Sequence, residues 1–233
     1  MKRPRDDEDV VGNRSGNVSR PISSVPAGAA GGKQSALAKG IHHLKSVPEN
    51  PLVFFDIAII DANDRGAASS KQHQAGLVGR LQIELFANLV PKTAENFRQL
   101  CTGEHEYRGL PLGYKDVPFH RVIPGMAAIG GDCLKKGGSG SISIYGTFFD
   151  DEPSTVPLSH NERGVVTMYS ADKNRNGCQF MILGKPMVEL DGQKVIVGRV
   201  MMGDPTSAAV LDKVLSVDST GKKVALVVEC GEM

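Results

Sequence analysis

Leu52-Val53-Phe54-Phe55-Asp56-Ile57-Ala58-Ile59 opens the part of the chain that can build a core. Val53, Phe55, Ile57 and Ile59 alternate with Phe54, Asp56 and Ala58, and a period of two places the first set on one face of a strand. The same alternation returns at 81–86, where Leu81, Ile83 and Leu85 are separated by Gln82 and Glu84. Between these strands, 61–76 is polar and reads as a long hairpin loop. Further short strands are expected near 117–123, 126–131, 165–169, 178–183, 194–200 and 223–229. Pro91-Lys92-Thr93 opens a helix with Ala94, Phe97, Leu100 and Cys101 on one face, and Gly103 closes it. A second helix fits 206–215, entered through Asp204-Pro205-Thr206, with Ala209, Val210 and Leu215 facing inward. Many short strands with two isolated helices predict a mainly β protein, a closed antiparallel barrel with helical caps. Regular strand–helix alternation is absent, which argues against a doubly wound sheet.

Upstream, the chain has a different character. All 8 Phe and 4 Tyr fall at or after Phe54. Residues 1–49 are rich in Gly, Ser, Ala and Pro and cannot bury enough apolar surface to offset their ordering entropy. They are expected to form a largely disordered tail ahead of a domain spanning 50–233. Leu37, Ile41 and Leu44 recur at helical spacing and offer a short apolar face for docking, although Gly40 weakens any helix there. Lys2-Arg3-Pro4-Arg5 reads either as a nuclear-import signal or as a solvated charged end. No secretory signal and no run long enough to span a membrane are apparent, so an intracellular place is expected, cytoplasmic, nuclear or both. The four cysteines are widely spaced and have no zinc-ligand pattern, so reduced thiols are expected. The sequons at Asn13 and Asn17 carry no weight in such a chain. Formal net charge over the 233 residues is +1. Since 51–233 is slightly acidic, no direct nucleic-acid binding is expected.

The common catalytic signatures fail. No phosphate-binding glycine motif precedes a helix, and Gly137-Gly138-Ser139-Gly140 reads as a turn. Arg121 is more informative, because it interrupts the apolar stretch Phe119-His120-Arg121-Val122-Ile123. A cation there either reaches solvent on the polar face or lines a cleft. His120 alone reads more readily as a hydrogen-bonded structural residue.

From about Asn50 onward the chain resembles the cyclophilins, the peptidyl-prolyl cis-trans isomerases. The blocks are Phe54-Phe55-Asp56-Ile57, Glu84-Leu85-Phe86, Val90-Pro91-Lys92-Thr93-Ala94-Glu95-Asn96-Phe97-Arg98, Gly113-Tyr114-Lys115, Phe119-His120-Arg121-Val122-Ile123, Gly130-Gly131-Asp132, Ser143-Ile144-Tyr145-Gly146, Asn176-Gly177-Cys178-Gln179-Phe180 and Leu190-Asp191-Gly192. They occur in family order. Arg98–Glu104, Gly109–Lys115 and the ending Cys230-Gly231-Glu232-Met233 look most like the spliceosomal branch. The resemblance implies an eight-stranded antiparallel barrel closed by two helices, acting on X-Pro bonds in protein folding or complex assembly without cofactor or metal. It makes Arg121 the catalytic group. It places His120, Met126, Ile129, Tyr169, Ser170, Ala171, Gln179, Met181, Leu190 and Lys194 along the substrate groove, with Gln179 helping to orient the arginine.

The setting departs from the family pattern. Ile129 stands where a substrate-binding glutamine is usual. Met126 and Met181 replace two phenylalanines, Tyr169 replaces alanine, and Glu189 and Lys194 replace tryptophan and histidine. A weakened isomerase is therefore expected, with proline-containing proteins as partners and poor or absent cyclosporin binding. The spliceosomal likeness adds a splicing protein as an expected partner. The alternative is a non-catalytic binding module recruited to such a complex.

Overall fold

A computed structural model describes Ile41, residues 44–64, 74–217 and 221–233. The expected tail up to Gly40, with Lys2–Arg5, the two sequons and Leu37, and the middle of the 61–76 loop lie outside the described residues.

Among the described residues, eleven strands and two α-helices follow in order: β1 Leu52–Asp61, β2 Leu77–Leu85, α1 Pro91–Thr102, β3 Glu106–Tyr107, β4 Leu110–Pro111, β5 Val117–Pro118, β6 Arg121–Ile123, β7 Ala127–Gly130, β8 Val165–Met168, β9 Phe180–Leu183, β10 Ile196–Val200, α2 Pro205–Leu215 and β11 Lys223–Glu232. Nine strands form one antiparallel sheet in the order β5-β11-β1-β2-β10-β8-β9-β7-β6, and β3 pairs only with β4. The two ends of that order, β5 and β6, are halves of the single strand expected at 117–123. Pro118 pairs with Leu226 and the Phe119 amide still donates to the Ala225 carbonyl, while pairing with β7 begins at Arg121. The chain therefore leaves β11 at one end and joins β7 at the other, bridging the sheet's two ends. Counting that interrupted strand once gives the eight-stranded barrel implied by the resemblance.

The alternation at 52–61 is real: Val53, Phe55 and Ile57 are fully buried. Toward its end β1 is covered on both faces, since Ala58 is also buried and Ile59 partly so. The register of β1 against β11 slips between Asp56 and Ile57, and against β2 between Ile57 and Ala58. The extra residues, Val228 and Val78, lie in the partner strands, so β1 keeps its alternation: Ile59 packs on the same core as Ile57, while Ala58 joins a smaller cluster with Ile60, Val224 and Leu226 on the opposite face. Phe55, Phe97, Tyr114 and Phe180 then pack ring on ring with centroids 5.1–6.0 Å apart. The buried Tyr114 hydroxyl donates to the Cys178 carbonyl at 2.9 Å, so the ring enters the core without an orphaned polar atom.

Both helices lie where the sequence predicts them, at Pro91–Thr102 and Pro205–Leu215. Gly103 closes α1 at φ 74°, its N–H bonded to the Gln99 carbonyl. The N-terminus of α1 lacks a local cap. The distant Glu152 carboxylate serves instead, accepting from the Lys92 and Thr93 amides and the Thr93 hydroxyl. Asp204 caps α2 through the Thr206 and Ser207 amides. The inward face of α2 is Ser207, Val210, Leu211, Val214 and Leu215. Ala209, expected to face inward, is exposed because it falls outside that 3.6-residue stripe.

Residues just upstream of β1 are packed on the barrel. Ile41 is fully buried and joins the main core. Arg199 on β10 donates to the Ile41 carbonyl at 2.6 Å and the Leu44 carbonyl at 2.8 Å. It also pairs with Glu84 at 2.9 Å, and both side chains are buried. Burial pushes the Glu84 carboxyl up, but bonds from Asn50, Arg199 and the Val47 amide outweigh it and hold the group below its ordinary value. The segment is thus held through its main chain.

Candidate active site

Arg121, Ile129, Met181 and Thr167 stand directly opposite one another across β6, β7, β9 and β8. Cross-strand neighbours share a face, so these four side chains form one row on the sheet. The row runs from an exposed Arg121 through Ile129 and Met181, 3% and 5% exposed, to a fully buried Thr167. Arg121 has no hydrogen bond or ion pair among the described residues. Its direct neighbour Ile129 carries no polar atom with which to fix the guanidinium.

Gln179 is buried just before β9. Its Nε2 donates to the Gly138 carbonyl at 3.0 Å and the Gly140 carbonyl at 2.7 Å. Two carbonyl acceptors can be satisfied only by the amide nitrogen, which fixes the orientation of the group. Its Oε1 is consequently left buried, with no partner among the described residues.

The loop that holds Gln179 is itself built around a carboxylate. Fully buried Asp132 accepts from the Lys135, Gly137, Gly138 and Gly140 amides at 2.7–3.1 Å. Glycine is required here for space: a Cβ on Gly138 would lie 2.6 Å from the His120 ring, and φ at that residue is 90°. A Cβ on Gly140 would collide with the Asp132 carboxylate. Burial raises the Asp132 pKa, but the four amides outweigh it, and the group sits below its ordinary value. A carboxyl with a depressed folded-state pKa contributes stability above its unfolded value, and that contribution is lost as pH falls through the folded value. Stability should therefore drop on acidification from about pH 4 downward, and Asp132→Asn should flatten that part of the profile while lowering stability at pH 7. Thermal melts across pH 2–7 check this; an unchanged acid limb in the variant would contradict it.

Of the other expected groove residues, some line two pockets, and His120, Met126 and Leu190 line neither. Tyr169, Ser170, Ala171 and Gln179 line a pocket of about 340 Å³ together with Phe148 and Arg175. Arg175 stacks on Phe148 at 4.2 Å. Lys194 instead lines a cleft of about 590 Å³ with His160, Gln193 and Val195. Its Nζ donates to the Ser170 carbonyl and hydroxyl, at 2.5 and 3.1 Å, linking the two places. Burial holds the Lys194 ammonium below its ordinary pKa, against the pull of Asp151 and Asp172. His120 abuts the Gly138 turn, and burial lowers its pKa despite Asp132. Met126 is partly buried at the turn between β6 and β7, and Leu190 ends a short 3-10 turn at Val188–Leu190. Sequence reading missed Asp132 as an organiser of the loop, and Phe148 and Arg175 as pocket walls. Gly130-Gly131-Asp132 followed by a glycine-rich turn was the available signal for the first; nothing local marks the other two.

An exposed arginine thus ends a mostly apolar row on the barrel, and a buried glutamine precedes β9. The model of the cyclophilin-type peptidyl-prolyl cis-trans isomerases matches residues 71–231. The chain belongs to that family. It is 42% identical over 188 residues to peptidyl-prolyl cis-trans isomerase CYP22 of Arabidopsis thaliana, covering 80% of this chain and 86% of that one. Peptidyl-prolyl cis-trans isomerase H of Mycosarcoma maydis is 43% identical over 155 residues, 66% of this chain and 98% of the relative. The isomerase H of Rhizopus delemar is 40% identical over 186 residues, 79% and 96% of the two chains. Family members act on proline-containing proteins. Among the described residues, no helix is long and apolar enough to cross a membrane.

Proposed function

We propose that this chain turns over X-Pro bonds at Arg121 with reduced efficiency. The observation that carries the reading is the row Arg121–Ile129–Met181, with the buried Gln179 carbonyl oxygen left without a partner. Amide resonance opposes rotation with a barrier of roughly 18–20 kcal/mol. Twisting the bond returns a lone pair to the prolyl nitrogen. A guanidinium N–H aimed there stabilises the twisted state more than either planar isomer. Met126, Met181 and Leu190 supply an apolar seat for the proline ring, so that the preceding carbonyl does the swinging. Methionines hold a ring less rigidly than phenylalanines. Ile129 gives Arg121 no hydrogen bond, so the guanidinium must be ordered by substrate at each encounter. Each lost positioning bond costs about 1 kcal/mol, which together with the looser seat lowers the rate tenfold or more. Titrating an X-Pro tetrapeptide while following NMR shifts tests the assignment. Shifts centred on Arg121, Gln179 and Met181 are expected; shifts confined to the opposite face would refute it.

Cyclosporin binding is expected to be weak or absent. Glu189 is exposed on the 3-10 turn, where the family resemblance places a drug-binding tryptophan. A solvated carboxylate there offers neither apolar surface nor an indole donor. Calorimetry should show little heat, and Glu189→Trp should improve affinity; tight binding by the wild type would contradict the argument.

A splicing protein is the partner that the spliceosomal resemblance favours, engaged in the nucleus and through a surface apart from the groove. Recruitment needs no transition-state stabilisation and so tolerates the changes at Met126, Ile129, Tyr169 and Met181. Affinity purification from nuclear extract should recover splicing proteins equally with wild type and Arg121→Ala. Loss of all partners with the variant would argue for groove-dependent capture.

A further inference from the structure

The row that begins at Arg121 ends at a buried hydrogen-bonded chain that the isomerisation chemistry does not use. Thr167 pairs across the sheet with Met181 and is fully buried. Its Oγ1 lies 3.1 Å from His160 Nε2 and 2.9 Å from the Val195 carbonyl. His160, 1% exposed, meets the Asp191 carboxylate with Nδ1 at 2.8 Å and with its own amide at 2.7 Å. The Ser159 hydroxyl donates to the other Asp191 oxygen at 2.6 Å. The His160 carbonyl in turn accepts from the Met187 amide at 2.7 Å. The turn carrying Leu190 is thus pinned at both ends to one histidine, and the same ring reaches the buried end of the row that carries Met181.

The proton arrangement is consistent with a neutral ring. Nδ1–H donates to Asp191, leaving Nε2 as an acceptor for the Thr167 hydroxyl. The Val195 carbonyl is not orphaned by that choice, because the Met168 amide donates to it at 2.9 Å. Burial favours the neutral ring and outweighs the opposing pull of Asp191 and Glu189.

We propose that His160 is a positioning residue for the proline seat, setting the position of the Leu190 turn relative to Met181 by tying Asp191 to Thr167. The inference rests on reading the groove as the X-Pro site. His160 is almost wholly buried and is assigned no contact with a reacting atom. A displaced wall weakens the hold on the ring equally in the planar and twisted states, which raises KM and leaves kcat nearly unchanged.

His160→Phe keeps the bulk of the ring and removes both of its hydrogen bonds. For an X-Pro tetrapeptide it should raise KM about tenfold with kcat within about twofold, and should shift the methyl resonances of Leu190 and Met181 in the free protein. His160→Gln, whose amide can still donate to Asp191, should recover much of the affinity. Thr167→Val breaks the chain at its other end and should raise KM in the same direction. An unchanged KM in folded His160→Phe overturns the proposal, as does a fall in kcat at constant KM. Should that variant not fold, an unchanged KM in Thr167→Val overturns it. A wild-type protein showing neither turnover nor peptide-induced shifts in the groove would remove the groove reading and this inference together. A normal wild type with an indifferent histidine variant removes the inference alone.

Discussion

Replacing Arg121 by alanine is expected to lower kcat/KM for an X-Pro peptide about 10²–10³-fold, the usual consequence of removing a donor aimed at charge that develops in the transition state. The fold should not suffer. Arg121 is exposed and makes no hydrogen bond or ion pair among the described residues, so its loss leaves no buried group unpaired. Thermal unfolding within a degree or two of wild type is the matching expectation. Arg121→Lys should not restore the rate. An ammonium is a compact point charge, and it lacks the planar fork of the guanidinium. Ile129→Gln should act in the opposite direction, since it puts a hydrogen-bonding group directly opposite the arginine. Equal activity in Arg121→Ala and its parent would remove the arginine from the mechanism.

The largest loss of stability is expected at the other side of the barrel, where Arg199 ties down the chain before β1. Arg199→Leu leaves the Glu84 carboxylate buried without its cation and strips donors from the Ile41 and Leu44 carbonyls. Removing one partner of a buried ion pair typically costs about 3–5 kcal/mol, which in a chain of this size corresponds to a fall in Tm of roughly 6–20 °C. The double variant Glu84→Leu, Arg199→Leu should recover only part of this. It removes the stranded charge, but the Asn50 Nδ2 and the Val47 amide lose their acceptor, and the Ile41 and Leu44 carbonyls lose the arginine donor. Denaturant melts of the three variants decide the matter; a single variant within about 1 kcal/mol of wild type would show that the pair contributes little. Faster hydrogen exchange at the Leu44 amide, which bonds to the Ile41 carbonyl, should accompany the loss.

These two sites also show what the sequence could disclose. Alternation at Val53, Phe55 and Ile57 marked β1, and glycine and aspartate marked the ends of α1 and the start of α2, because side-chain periodicity and capping are local. Arg121 stood out as a cation inside an apolar stretch. The grip of Arg199 was not legible, since its partners are main-chain carbonyls that any residue carries. The helical spacing of Ile41 and Leu44 hinted at docking but named no receptor. Asp132 was hidden for the same reason: its four donors are backbone amides, and its glycines read only as a turn. The slips of register at Asp56–Ile57 and Ile57–Ala58 take up one extra residue each in the partner strands and leave Ile59 on its expected face; alternation could not show that the opposite face is covered too, where Ala58 and Ile60 meet Val224 and Leu226. The change of partner between Phe119 and Arg121 turned one expected strand into two, and it lets the chain reach both ends of the sheet.

The central claim is that Arg121 works as a catalytic group although Ile129, Met126 and Met181 have altered its surroundings. NMR exchange spectroscopy on an X-Pro tetrapeptide with catalytic amounts of the wild-type protein measures this most directly, because it reads cis–trans interconversion with no coupling enzyme. The account predicts exchange cross-peaks between the cis and trans resonances in the presence of wild type and their loss with Arg121→Ala. Peptide-induced shifts at Arg121 and Met181 without any exchange would contradict it and identify a binding module instead.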